Sequence, residues 1–309
     1  MLWFECGLIC FCLHQRSNNL PQKQDWLRSL SIQDELLTNY SSFPDSLDSI
    51  NINVGTVSLI VNLFFLNLKV NLFLGGAFSW FLYSPLLVDC DSIVLFLALN
   101  FGGFHAAVSG YSCTAFCVNF SFLFAFYSIT SGLRYHMISQ KLSKLSQTIT
   151  SYKTINIIVN QLLTLLIENH RANIYWTQIN STIFLFTFIA QIPILYLIFF
   201  IQLTSFTKFS LIILGGLNFL CGQSITFLSA YYTRNRLNRC QKQLNRLLIV
   251  RNDIDFIRKI QLTNVAEYLI DRQLFFIYGG FEFNQINYLT VILEIISNLL
   301  LLIANVGIR

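Results

Sequence analysis

Four polar side chains recur on one side of the last apolar stretch of this 309-residue chain. Counted from Glu294 at 100° per residue, Asn287 and Asn305 fall at about 20°, Asn298 at about 40° and Leu301 at about −20°. A carboxylate and three amides left without partners in hydrocarbon cost on the order of a few kcal/mol each, so this face turns away from lipid. Two arrangements satisfy it. One is an internal seam, hydrogen-bonded to neighbouring helices of the same subunit. The other is a pore lining in which Glu294 favours cations and Leu301 forms an apolar constriction. The helix pattern alone does not separate them.

Other reactive groupings are sparse. His105 with Cys113 and Cys117 is one association of His and Cys; the two Cys are four apart on one helical face, but no fourth ligand is near, so packing outweighs metal binding. Cys6, Cys10 and Cys12 are acylation candidates if cytoplasmic, with burial as small residues the alternative. His14, His136 and His170 stand alone, the latter two in a solvated basic stretch. Neither a phosphate-binding glycine loop nor a nucleophile elbow is present. These absences disfavour an enzyme and imply neither metal nor cofactor.

The elements that must position the polar face are membrane helices. Hydrophobic residues make up 54% of the chain and charged ones only 11%, less than half of what a soluble domain carries, so the bilayer is the expected solvent. The net charge of +5 is too small to imply nucleic acid. A span needs about 20 apolar residues to cross roughly 30 Å of hydrocarbon, so charge-free runs locate the spans. Ser92 to Leu133 lacks Asp, Glu, Lys and Arg over 42 residues, enough for two helices broken around Ser109-Gly110. Ile183 to Leu203 fits one helix, kinked at Pro193. Phe209 to Thr233 fits another, with Gly215-Gly216 suited to close helix contact, and Ile286 to Ile308 is the last. The run from Val54 to Pro85, with Lys69 near its middle, reads as one long tilted helix, with two short ones as the alternative. Residues 1 to 13 lack a basic start and a cleavage site, which argues against a signal peptide.

The expected fold is therefore all-α and polytopic, with six clear transmembrane helices. It divides into an N-terminal segment 1–50, transmembrane helices in 51–133, a cytoplasmic amphipathic helix in 134–180, transmembrane helices in 181–233, cytoplasmic anchor helices in 234–280 and a last helix in 281–309. Basic residues set its direction. Arg134, Lys141, Lys144, Lys153 and Arg171 face a single acid, Glu168, in the first long connection; the second carries nine basic residues against four acids. By the positive-inside rule both connections are cytoplasmic and the C-terminus is outside. Each carries an apolar stripe at helical spacing: Ile138, Leu142, Leu145, Ile149, Tyr152, Ile155, Val159, Leu162 and Leu166 as one continuous helix in the first, Leu237, Cys240, Leu244, Leu247, Ile254, Ile257 and Ile260 in the second. These stripes pack on each other within a subunit, lie on membrane lipids, or form a bundle shared between subunits.

The arrangement resembles the arthropod gustatory and odorant receptor family. The segment Phe281-Glu282-Phe283-Asn284-Gln285-Ile286-Asn287 and the following Tyr288 to Leu293 are similar to that family's Phe-x-Ile-Asp-Arg-Ser-Leu-Leu approach to its last helix. In the same register Ser297-Asn298 stands where the family has Thr-Tyr, and Ala304-Asn305 where it has Gln-Phe, so the spacing is kept while three of the four side chains are lost. The likeness covers roughly Ser92 to Arg309.

The resemblance implies a seven-helix chemosensory receptor at the plasma membrane, detecting a small chemical as a ligand-gated, non-selective cation channel. Four subunits, alike or mixed, would share one pore and a cytoplasmic anchor. It places the narrow part of the pore at Leu301 and Ala304, within a lining of Asn287, Glu294, Asn298, Leu301, Ala304 and Asn305. It also implies a ligand pocket in the outer half of the membrane, drawing on Phe101, Phe104, His105, Tyr111, Phe116, Tyr196, Phe199 and Phe219. A seventh span would require two helices in Val54 to Pro85 or a truncated one in residues 1 to 13; if the N-terminal region is outside, Asn39-Tyr40-Ser41 is a glycosylation sequon. A secondary transporter or a non-channel receptor for a small molecule is the alternative.

Overall fold

The computed structural model describes residues 9, 12–13, 92–112, 118–147, 152–251, 254–270, 276–277, 281–282 and 284–306. The expectations for Val54 to Pro85, the sequon at Asn39, Cys6, Cys10, Cys113, Cys117 and Phe116 lie outside them. Within them the chain is helical apart from one two-residue strand pair. The order is α1 (Ile93–Ser112), α2 (Asn119–Gln147), α3 (Tyr152–Phe200), α4 (Ser205–Phe219), a π-helical turn (Leu220–Ser224), α5 (Ile225–Val250), α6 (Phe256–Ile270), β1 (Phe276–Ile277), β2 (Phe281–Glu282) and α7 (Gln285–Val306). The strands pair antiparallel, Phe276 opposite Glu282 and Ile277 opposite Phe281.

Three helices among the described residues are long and apolar enough to cross a membrane: Thr154–Phe200, the continuous rod Ser205–Val250 and Gln285–Asn305. The 49 residues of α3 rise roughly 74 Å at 1.5 Å each, more than twice the hydrocarbon thickness. An apolar half and an amphipathic half thus form one rod, and the same holds for α4 through α5. The divisions at 180/181 and 233/234 consequently fall inside continuous helices. Helix α3 also runs through Pro193, whose missing N–H leaves the Ile189 carbonyl without its helical donor at an exposed position. In 92–133, where two crossings are expected, α1 continues past Ser109-Gly110 to Ser112 and contributes the shorter apolar stretch Ile93–His105.

The rods pair with fixed polarity. Ser128 meets Ser229 and Thr233, Cys240 Sγ donates to the Tyr135 carbonyl, and Arg251 donates to the Leu145 carbonyl. Both numbers rise together, so α2 and α5 run parallel. Against α3 the order reverses, with Phe124 on Trp176 and Arg134 on Glu168, so α3 is antiparallel to both. All three carry their basic segments to the same end of the bundle. There Ile138, Leu142 and Leu145 of α2, Ile155, Val159, Leu162 and Leu166 of α3, and Leu237, Cys240, Leu244 and Leu247 of α5 are buried in one core. The two sequence stripes therefore cover each other within the chain over much of their length, while Ile257 and Ile260 of the second stay exposed. The first stripe is divided between two helices, α2 ending at Gln147 and α3 beginning at Tyr152.

Small residues set the spacing. A Cβ on Gly132 would lie 2.7 Å from the Tyr232 ring, and one on Gly222 would lie 2.3 to 2.4 Å from the Thr187 side chain. Hydroxyls then lock the close pair: Ser128 Oγ donates to the Ser229 carbonyl at 3.0 Å while Thr233 Oγ1 donates to the Ser128 carbonyl at 2.5 Å. Such interhelical hydrogen bonds and close backbone approaches are what hold helices together where lipid supplies no hydrophobic drive.

Candidate functional site

Helix α7 is tied down at its start and loosely held thereafter. Asn284 caps it, its Oδ1 accepting from the Asn287 backbone N–H at 2.8 Å. Asn287 returns its side-chain amide to the Glu282 carbonyl at 2.8 Å, and Glu282 pairs with Arg234 at the basic end of the bundle. One turn on, the Tyr288 ring lies 5.3 Å from Phe227 and 6.4 Å from Phe219, with its hydroxyl 3.0 Å from Ser224 Oγ. Beyond Tyr288 only Val291 and Ile295 are buried among the described residues.

Three faces result. Val291, Ile295 and Tyr288 define the side packed on the chain. Exposed Ile286, Leu289, Leu293, Ile296 and Leu300 define an apolar side, suited to lipid. Glu294, Leu301 and Asn305 are exposed between them, and Asn298 is half-buried, its Nδ2 donating to the Glu294 backbone carbonyl at 2.9 Å. The polar strip is thus not covered by the described part of the chain. Asn287 shares its angle but uses its amide in the helix-start network. Ala304 is exposed about 80° from Glu294, at the border of the apolar side.

The aromatic residues expected to form a pocket separate into groups. Phe101, Phe104, His105 and Tyr111 are exposed on α1, Phe101 at 74%. Tyr196 stacks on Phe200 at 5.7 Å. Phe199 and Phe219 instead meet across a cavity of about 400 Å³ between α3, α4 and α7, together with Leu195, Ile198, Ile212, Ile292, Ile295 and Ile296. Of its lining, Phe199 and Phe219 are among the pocket residues the resemblance implies, and the rest are not. Its signal was Gly215-Gly216: Gly215 serves close contact, since a Cβ there would meet Ile194 at 2.9 Å, whereas one on Gly216 would meet nothing within 4 Å. The pair brings α4 onto α3 at one residue and leaves space at the next.

One polar residue, Gln191, faces this space from α3. Its Oε1 accepts from Asn218 Nδ2 at 2.7 Å, and the same Nδ2 donates to the Thr187 carbonyl at 2.8 Å. The π turn follows directly, closed by the Ile225 N–H to the Leu220 carbonyl. Such turns are frequent at functional sites. This one carries Gln223, fully buried with both amide atoms unpartnered among the described residues.

At the basic end a second polar centre forms. Asn169 Oδ1 accepts from the Tyr127 hydroxyl at 2.5 Å and from Ser131 at 3.0 Å, and its Nδ2 donates to the Tyr135 hydroxyl at 2.7 Å. Burial raises the Tyr135 pKa well above its ordinary value, keeping the phenol neutral. His136 does not stand alone in solvent as its sequence context suggests. Arg236, a hundred residues away, donates to its Nδ1 at 3.1 Å because α2 and α5 run parallel. Burial first, then Arg236 and Arg239, hold the His136 pKa below its ordinary value.

No group of three His, Cys, Asp or Glu that could hold a metal occurs among the described residues. No protein-family model matches the chain, and no curated protein is detectably similar to it.

Proposed function

We propose that the chain is a multi-pass, gustatory-receptor-like subunit of a ligand-gated, non-selective cation channel, with α7 as its pore helix. The observation that carries this reading is the strip of Glu294, Leu301 and Asn305, exposed on a helix of membrane length. A carboxylate facing acyl chains is strongly unfavourable, and the described part of this chain does not shield it. Water or other copies of the same helix would solve the problem, and a ring of α7 helices supplies both. Glu294 then attracts cations, Leu301 narrows the path, and Asn298 and Asn305 offer amides to a passing ion.

The gathering of basic residues at one end of the bundle supports a cytoplasmic placement for that end. With α2, α3, the α4–α5 rod and α7 alternating in direction, the end of α7 would face outward at the plasma membrane. Six or seven spans depend on Val54 to Pro85. Exposed Ile249, Val250 and Phe256, with Ile257 and Ile260 of the second stripe, remain near the basic end outside the internal core. They suit contact with other subunits.

Single-particle imaging of the detergent-solubilised full chain tests the proposal. Four-fold particles with a stalk on the basic side are expected; a strictly monomeric particle, with no ligand-dependent current from any partner combination, would overturn it.

A further inference from the structure

The basic end of the bundle holds its arginines in two different ways. Arg134 and Arg234 are neutralised by Glu168 and Glu282. Arg236 and Arg239 have no carboxylate partner among the described residues. Arg236 lies 5.0 Å from the centre of the Tyr232 ring and donates to His136 Nδ1 at 3.1 Å, and a neutral ring nitrogen cancels none of its charge. A guanidinium cannot accept, so Nδ1 is the bare nitrogen and the ring proton sits on Nε2, 3.2 Å from the Gln140 amide. Burial first, then both arginines, lower the His136 pKa, so the charge of Arg239 as well as Arg236 reaches the ring.

The place of this group in the fold matters as much as its charge. The charge-free runs that feed α2 and α5 end at Leu133 and Thr233. Three residues further, at about 1.5 Å each, His136 and Arg236 lie about 4.5 Å past the apolar boundary, within a headgroup layer of roughly 5 to 8 Å per leaflet. Arg239, another three residues on, leans back toward that layer, because side chains on an α-helix tilt toward its N-terminus and the N-terminus of α5 is on the apolar side. Helix α2 runs parallel, so His136 leans the same way. Arg134 and His136 are about 200° apart on α2, so this group lies on the side away from α3. Toward the apolar side, two turns before His136 and Arg236 on the same helix faces, Ile129 and Leu228 are exposed.

We infer that Arg236 and Arg239, beside His136, bind the headgroup phosphate of an anionic phospholipid in the leaflet at the basic end of the bundle, with its acyl chains along Ile129 and Leu228. A phosphate accepts paired N–H···O bonds from a guanidinium and cancels its charge, which the imidazole nitrogen cannot do. The exposed apolar residues beneath the arginines favour a lipid over a dissolved anion, since only a lipid covers both. The inference rests on the membrane placement of α2 and α5 proposed above and not on α7 as a pore helix.

The test places the full chain in nanodiscs of equal parts phosphatidic acid and phosphatidylcholine and reads, by native mass spectrometry, which lipids it retains on release. Each arginine near a membrane surface is worth about fivefold, so wild type should retain phosphatidic acid over phosphatidylcholine by about 25-fold. Arg236→Gln combined with Arg239→Gln should bring that ratio to within about twofold of unity. Lys242→Gln combined with Arg246→Gln removes the same charge about 14 to 20 Å past Thr233, beyond the headgroups, and should leave the preference intact. No preference in wild type, or an equal loss in both double variants, overturns the inference, the second by reducing it to net charge. Displacement of the retained lipid by an equal concentration of glycerol 3-phosphate also overturns it, in favour of a dissolved anion. If the arginine double variant fails to fold, Arg239→Gln alone, at an exposed position, should cut the preference about fivefold, and an unchanged ratio there overturns the inference. A chain that does not enter nanodiscs removes the membrane placement and the site with it; entry without lipid preference removes the site alone. None of these readouts uses current or oligomeric state, so a monomer that still selects phosphatidic acid would remove the channel reading and leave the site.

Discussion

Helices α2, α3 and α5 and the last helix α7 handle polar residues in opposite ways. In the first group Asn169, Ser128 and Thr233 are buried and hydrogen-bonded to neighbouring helices of the same chain. On α7, Glu294 and Asn305 reach the surface, and Asn298 bonds only to its own helix. Polar groups that fasten one helix to another need particular partners at short range. Groups that serve an aqueous path need water or another subunit, and are conspicuous in a single chain because that partner lies elsewhere. Exposure on a helix of membrane length, rather than polarity itself, is thus what marks α7.

Breaking the first region should have the largest effect. Asn169→Leu leaves three hydroxyl groups without their buried partner and should destabilise the protein by about 2–4 kcal/mol, seen as a lower unfolding temperature in detergent. Gly222→Ala forces a methyl into the Thr187 side chain and should cost about 1–3 kcal/mol. Gly216→Ala, six residues away, should be neutral or stabilising by up to about 1 kcal/mol, since it meets no atom and removes backbone freedom from the unfolded chain. Glu294→Gln should change stability by less than about 0.5 kcal/mol, yet reduce cation over anion permeability several-fold in reconstituted bilayers. A large loss of stability there would return the strip to a structural role.

The smallest effect concerns pH. His136 has a depressed pKa in the fold, so its neutral form is the one stabilised. That contribution is present above the unfolded-state value of about 6.5 and is lost as pH falls below it. Unfolding temperature should therefore drop as pH falls below about 6.5, and His136→Asn should flatten part of that drop.

Much of the helical architecture was legible because charge-free length and helical periodicity are local properties. The rods that hold Ile183–Phe200, three residues short of the expected span to Leu203, and Phe209–Thr233 follow from such runs, as do the buried stripes at Leu142, Leu162 and Leu244. What periodicity does not carry is pairing. Nothing in the sequence near His136 announces Arg236, and nothing near Asn169 announces Tyr127 and Tyr135; both depend on helix directions fixed by the whole bundle. The cavity was half legible for the same reason. Gly215-Gly216 signalled close approach, but which glycine would touch Ile194 and which would leave space depends on the rotation of α4 against α3. Nothing in the span around Gln191 sets it apart; Asn218, on another helix, fixes the direction of its amide.

If α7 is a pore helix, its strip faces water while the adjacent side faces lipid. Single cysteines at Glu294, Asn298, Leu301 and Asn305, and as controls at Leu293, Ile296 and Leu300, can be tested in intact membranes with a charged, membrane-impermeant thiol reagent, against the background labelling of the unsubstituted protein. Rapid labelling is expected at the first four positions and little at the last three. Equal protection of both sets, or faster labelling at Leu293, Ile296 and Leu300, would contradict it.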